Sequence, residues 1–324
     1  MAPRNYEESK SFYDYRYSRG YMEDWDPKKK LRILNIIREL NLPKNGAALD
    51  FGCGNGVWTD VLKKALPTWE VFGTDISSRA ISDAKRRFSH LNFFELSDQH
   101  RFYGKFDFCF SHHVLEHVFD INQTLSTINR LLKNSASVVH ILPCGNSGSL
   151  EHKISLLVKN GIDKTNGRYF FEELGHLRRL NTKQMNLLVG KYGFHLSKAY
   201  YSYHYWAAIN EITRYSPKYI LEVTNHKRAK NKESKIELKS IRNKLLILNI
   251  LRLPALVFEN RKNIRCGRSI LPALVILYPF SFPINYYINV HAEQEWNLYK
   301  NQENGSEMYL FYNREPSKTT KKPN

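Results

Sequence analysis

The chain has 324 residues, 42% of them hydrophobic and 25% charged, which is enough to bury a core and excludes wholesale disorder. Its 49 Lys and Arg against 31 Asp and Glu leave a formal charge of +18, which favours an anionic partner: a membrane surface, nucleic acid or an acidic polymer. Cys53, Cys109, Cys144 and Cys266 lie far apart with no C-x-x-C, which excludes a disulfide framework and the common cysteine zinc sites.

Residues 1–30 are polar and aromatic, with Tyr6, Phe12, Tyr13, Tyr15, Tyr17, Tyr21 and Trp25. They read as an irregular arm stapled to a core, or as a cap over a ligand site. Pro27 suits a first helical turn, and Leu31, Leu34, Ile37 and Leu40 recur at helical spacing until Pro43, Asn45 and Gly46 break the helix. Short apolar runs then alternate with amphipathic stretches. AALDF, EVFGTD, NFFEL, FDFCFS and SVVHILP read as strands, with VWTDVLKKAL, SRAISDAKRRF and INQTLSTINRLLK as helices between them. Helical crossovers make such a sheet parallel, and right-handed crossovers put ligands at the strand C-terminal ends. NTKQMNLLVGKYG reads as a further helix, FHLSKAYYSY as a sixth strand, and EMYLFYN (307–313) as a seventh.

About a hundred residues separate those last two strands. Within them, residues 227–268 carry 13 Lys or Arg and three Glu, a net +10. Residues 245–258 and 269–290 are apolar, and the second stretch has 22 residues without a charged side chain. That length could span a bilayer, but Pro272, Pro279 and Pro283 would interrupt a spanning helix. Contact with an anionic membrane surface is favoured over a buried subdomain or dimer face, and both over a span. A nucleic-acid surface would interleave its basic residues with aromatics, which this stretch does not.

The sharpest motif is Asp50-Phe-Gly52-Cys-Gly54-Asn-Gly56, directly after a strand and before a helix. Such a turn lets a ligand approach the backbone where Cβ atoms would block it. A dinucleotide fingerprint needs Gly where Val57 stands, and an acid at the strand end would repel a pyrophosphate but attract an ammonium group. The second strand ends in Asp75, placed to accept both hydroxyls of a ribose, and Ser97-Asp98 follows the third. Singly, each acid reads as a solvated loop residue. In order at three consecutive strand ends they become specific.

At ALDFGCGNG, VFGTDIS and KFDFCFSHHVLEHV the chain resembles the class I S-adenosylmethionine-dependent methyltransferases, over about Leu31 to Tyr203. The resemblance implies an α/β, Rossmann-like seven-stranded methyltransferase sheet with a large basic and apolar insertion before its last strand. It implies S-adenosylmethionine as cofactor. Gly52, Gly54 and Gly56 would line its methionine end, Asp50 would sit near its amino group, Asp75 and Ile76 would flank the ribose, and Asp98 would meet the adenine. The domain limits that follow are 1–30 for the arm or cap, 31–203 for the cofactor-binding core, 204–305 for the insertion, 306–314 for the last strand and 315–324 for a flexible tail.

In this family the sulfonium is a good leaving group, so the protein aligns the nucleophile and removes its proton. Candidates follow the fourth strand: His112, His113, Glu116 and His117, histidine being the natural base near neutral pH. The bland alternative is that Glu116 and His117 cap or pack the next helix. No metal is expected. Relatives that bind a divalent cation carry Glu-x-x-Glu-His here, whereas this chain has His113-x-x-Glu116-His117, with His176 as the fourth donor such a site would need. Acceptor contacts are expected from His176, Arg178 and Tyr201. The implied activity is O-methylation of a lipid, a quinone precursor or a lipid-linked glycan. Methylation of RNA and a non-catalytic membrane module are the alternatives. The expected place is the cytoplasm, as a soluble protein or one held peripherally or monotopically at a membrane; the polar N-terminus lacks a Sec-type signal.

Overall fold

The computed structural model describes residues 5–173, 175–214, 216–259 and 271–314. Cys266 and the expected tail at 315–324 lie outside them. β1 (Ala47–Phe51), β2 (Glu70–Asp75), β3 (Asn92–Glu95), β4 (Phe106–His112) and β5 (Leu132–Pro143) pair in parallel. β6 (Phe194–Ser202) and β7 (Glu307–Arg314) complete the sheet, β7 running antiparallel between β5 and β6. The order is β3-β2-β1-β4-β5-β7-β6, the expected seven-stranded α/β sheet. Both faces are covered, which explains why the strands read as continuous apolar runs. Leu49, Cys109 and Val138 enter one core, while their neighbours Ala48, Phe108 and Val139 enter the other.

The N-terminal segment is not an irregular arm. Residues Tyr6–Tyr17 form α1, whose start is fixed by Asn5, its side chain accepting from the Glu8 amide at 2.8 Å, with Glu7 and Glu8 in the first turn. Asp26 and Pro27 open α2 (Pro27–Arg38). The buried stripe of α2 is Ile33, Ile36 and Ile37, whereas Leu31, expected on that stripe, is 58% exposed. α3 (Val57–Ala65), α4 (Ser78–Arg87), α5 (Ile121–Leu131), α6 (Leu150–Leu157) and α7 (Thr182–Gly190) complete the helices around the sheet.

The insertion folds as α8 (Trp206–Arg214), α9 (Pro217–Val223), α10 (Lys232–Glu259) and α11 (Leu271–Tyr299). It has its own core, in which Ile212, Ile220, Leu238 and Leu245 pack with Ile154 of α6. Glu295 of α11, 3% exposed, accepts from the amides of His204, Tyr205, Trp206 and Ala207. A carboxylate thus caps α8 from 90 residues away and satisfies donors that a helix start leaves orphaned. Glu295→Ala should lower the unfolding free energy by about 2 kcal/mol, read from the urea midpoint by circular dichroism. Glu295→Gln, which can still accept, should lose less; two equal losses would remove the capping argument.

Candidate active site

The C-terminal ends of β1, β2 and β4 open into a cleft of about 240 Å³. Its floor is the glycine turn. Gly52 and Gly54 have φ of +77° and +53°, and Cβ atoms there would strike the Val114 side chain and the Tyr17 hydroxyl. The turn is held by Gly52 and Cys53 amides donating to the Thr74 carbonyl at 2.8 and 2.9 Å. Asp75 closes it, one oxygen accepting from the Gly54 amide and the other from the Ser77 amide, both at 2.9 Å. Burial pushes the Asp75 carboxyl up to about 6. Asp50 lies beneath the floor, 1% exposed, and accepts from the Thr59 hydroxyl at 2.7 Å. Burial, with Asp75 as a neighbouring anion, raises it to about 7.

α1 covers the cleft. Tyr6, Ser9, Tyr13 and Tyr17 share one helical face and line it. The helix is fastened by Arg16, which donates to Glu173 at 2.8 and 3.3 Å, and by Asp14, which accepts from the Ser77 hydroxyl and the Arg79 amide.

The histidines after β4 divide into two kinds. His113 has a φ of +54°, an uncommon conformation for a non-glycine residue that marks a constrained site. Its Nε2 is 2.7 Å from Glu307 and its Nδ1 3.0 Å from Glu116. Burial alone would lower its pKa, but the two carboxylates raise it. Glu307 also accepts from Lys29 at 2.5 Å, and from Ser202 and Tyr309 at 2.8 Å each. Burial opposes its ionisation, yet Lys29 and His113 hold it well below the carboxylate range.

His112 and His117 are the other kind. The His112 ring lies between Trp25 and Trp58, centroids 4.6 and 4.4 Å away, with neither nitrogen hydrogen-bonded. Burial and then Lys29 push it well below its ordinary pKa, so it is neutral. His117 Nδ1 donates to the Gly175 carbonyl at 2.9 Å, an assignment made from the partner, which leaves the lone pair on Nε2. Burial lowers its pKa against the opposing pull of Glu116. Glu116 itself is 1% exposed, one carboxylate oxygen facing His113 Nδ1 at 3.0 Å; burial would raise it, but His113 and then His117 pull it down to about 2. His176 faces His117 at 4.7 Å between ring centroids.

Of the expected cofactor residues, Gly52, Gly54, Asp75 and Ile76 line the cleft, while Asp50 and Gly56 support it from outside the lining. Asp98 is displaced: it is exposed on the 3₁₀ turn Leu96–Phe102, and Leu96 and Gln99 line the cleft instead. Arg178 does not face an acceptor. Its guanidinium donates to the carbonyls of Leu115, Val118 and Phe119 and clamps the loop that carries Glu116 and His117. Tyr201 is buried, its hydroxyl 2.9 Å from Thr182, outside the cleft lining. His112, His113, His117 and His176 all line it. Among the four residues weighed for a metal, donor atoms of Glu116, His117 and His176 lie within 4.8 Å of one another, while both nitrogens of His113 face carboxylates.

The residues present fit S-adenosylmethionine. The glycine turn permits close approach, and Asp75 keeps lone pairs for ribose hydroxyls after its two amide bonds. Gln99 lines the cleft with a buried carbonyl oxygen that has no hydrogen-bond partner, an acceptor a ligand N–H could fill. Trp58, Lys29, Gln99 and Glu307 carry no sequence signal for the site, whereas Trp25 belongs to the aromatic segment expected as an arm or cap.

A model of the methyltransferase domain matches residues 22–199. Curated relatives include the demethylmenaquinone methyltransferase of Staphylococcus saprophyticus, 30% identical over 110 residues, or 32% of this chain and 47% of that one. The trans-aconitate 2-methyltransferase of Variovorax paradoxus is 33% identical over 85 residues, 24% and 32% of the two chains. The chain therefore spans less than half the length of either relative. Among solved structures, phosphoethanolamine N-methyltransferase 2 of Haemonchus contortus in complex with S-adenosyl-L-methionine aligns with a TM-score of 0.45 at 14% identity, covering 95% of this chain and 57% of that one. The chain belongs to the methyltransferase-domain family, as a class I S-adenosylmethionine-dependent methyltransferase. S-adenosylmethionine is its cofactor.

Proposed function

We propose that the protein methylates a hydroxyl oxygen of an apolar or aromatic acceptor, of the lipid, quinone-precursor or lipid-linked glycan class, with His117 as the base. The observation that carries this reading is the fixed tautomer of His117 at the cleft, its Nε2 lone pair 3.9 Å from the Glu116 carboxylate. When bound, the cofactor supplies a methyl group on a sulfonium. Transfer of that methyl group to the acceptor oxygen, with the sulfonium sulfur as leaving group, would release the hydroxyl proton, and His117 Nε2 would take it. Glu116, ionised at neutral pH, stabilises the resulting imidazolium. Arg178 holds the loop that carries both residues. The aromatic walls, Tyr13, Tyr21, Trp25, Trp58 and Phe119, favour a flat or apolar acceptor.

Asp75→Ala should weaken S-adenosylmethionine binding by about a hundredfold in calorimetry, the worth of two hydrogen bonds to a carboxylate. Incubation with methyl-labelled cofactor and lysate should then place label in the solvent-extractable fraction for the native protein and not for the variant. Label confined to aqueous polymer would defeat the acceptor class, and unchanged affinity would defeat the ribose assignment.

A further inference from the structure

We propose that the α10–α11 hairpin is a membrane-docking element whose exposed apolar surface seats in the interface of a bilayer with anionic headgroups. The two helices run antiparallel, Phe258 packing on Tyr278 at 4.6 Å and Arg252 bonded to Asn285. Their interior mixes apolar side chains, among them Leu238, Leu245 and Ile288, with a polar cluster. Arg252 is fully buried and donates to Asn285, Asn210 and Thr213; Asn249 donates to the Thr213 carbonyl, and Asn285 to Glu259.

Their exterior is apolar. On α10, Ile236, Ile247, Ile250 and Leu251 share one face and are exposed, opposite buried Leu238, Leu245 and Arg252. On α11, Ile276 is 69% and Phe280 74% exposed, with Val275, Phe282 and Tyr286 beside them. No charged residue occurs from 275 to 287. A helical pair in water presents a polar exterior, and an exposed apolar area of this kind marks a contact surface.

Charge selects the occupant. Lys232, Lys235, Lys239 and Lys244 are exposed on the N-terminal half of α10, next to the apolar half. An anionic headgroup layer beside hydrocarbon matches that order of charge and apolarity. A second copy would bring these lysines toward its own. A polyanion such as RNA would find no cation along the apolar part of α11. Among the described residues no helix is long and apolar enough to cross a membrane, and Pro279 and Pro283 lie inside α11, so the hairpin lies on the surface.

The test is flotation of the full chain with vesicles of phosphatidylcholine alone or mixed with phosphatidylglycerol, at low and high salt. The native protein should float with the mixed vesicles, and part of the binding should survive high salt because apolar burial contributes. Ile276→Asp with Phe280→Asp should lose at least about tenfold in vesicle affinity at an unchanged unfolding midpoint. Lys235→Glu with Lys239→Glu should lose about fivefold per residue on mixed vesicles only. Asp75→Ala should float like the native protein, which separates this surface from the cofactor site. Absence of flotation, or flotation unaffected by the two aspartates, overturns the proposal. Self-association through this face, or salt-abolished RNA binding, without vesicle binding overturns it in favour of a second copy or a nucleic acid.

Discussion

Glu307→Ala should destabilise the protein by about 3–5 kcal/mol, because it leaves the buried Lys29 ammonium without its carboxylate and removes one of the two carboxylates against the half-buried His113 ring. Glu307 is 3% exposed and Lys29 8%, so water cannot take over the lost contacts. Four donors converge on this one side chain, from α2, the loop after β4, β6 and β7 itself. Glu307→Gln keeps acceptor capacity for Ser202 and Tyr309 but not the charge, and should recover less than half of the loss. The acid dependence has a definite sign. The folded carboxyl is depressed, so its contribution is full above the unfolded value of about 4.3 and is lost as the pH falls toward the folded one. Urea titrations across that window should therefore show native protein and variant converging in acid. A glutamine variant as stable as the native protein would refute the charge argument.

His117→Asn should reduce the rate of methyl transfer by about 10²–10⁴-fold while cofactor affinity stays within a few-fold. The asparagine can keep a bond to the Gly175 carbonyl, so the loop should remain in place. Burial holds the His117 pKa below its ordinary value, against the pull of Glu116. Protonation consumes the base, so activity should fall as the pH drops through a midpoint below about 6.5. Glu116→Gln removes the anion that raises His117, and should both slow the reaction and move that limb to lower pH. Transfer by His117→Asn at the native rate, with the limb intact, would move the base elsewhere; His112, neutral and unbonded at both nitrogens, stands next.

What could be read in the sequence is what short-range chemistry decides. The glycine turn, Asp75 and the parallel strands were legible because turn geometry, strand-end position and apolar runs are local signals. Asp98, expected at the cleft, is exposed outside its lining. The segment is a 3₁₀ turn with three residues per revolution, so Leu96 and Gln99 share a side and Asp98 does not. α1 was hidden because its lining residues are tyrosines separated by charges, which lack an apolar stripe. Arg178 has a side chain long enough to reach the 115–119 carbonyls, and no sequence spacing reports that reach. Glu307 could not be paired with Lys29 at all: 278 residues separate them, and only the strand order joins them.

That strand order also sets a schedule for synthesis. A ribosome extends a chain at about 5–20 residues per second, and domains begin to fold as they emerge. Until residues 307–314 have left the exit tunnel, β5 and β6 face each other across an empty slot, because β7 belongs between them. Lys29, made long before, meets its carboxylate only when Glu307 emerges, whereas His113 has Glu116 three residues away. The whole insertion is translated earlier than the strand that locks the sheet, so an unfinished chain is an open-edged sheet carrying complete helices. Nascent-chain proteolysis should find the first half of the protein vulnerable until that strand is released.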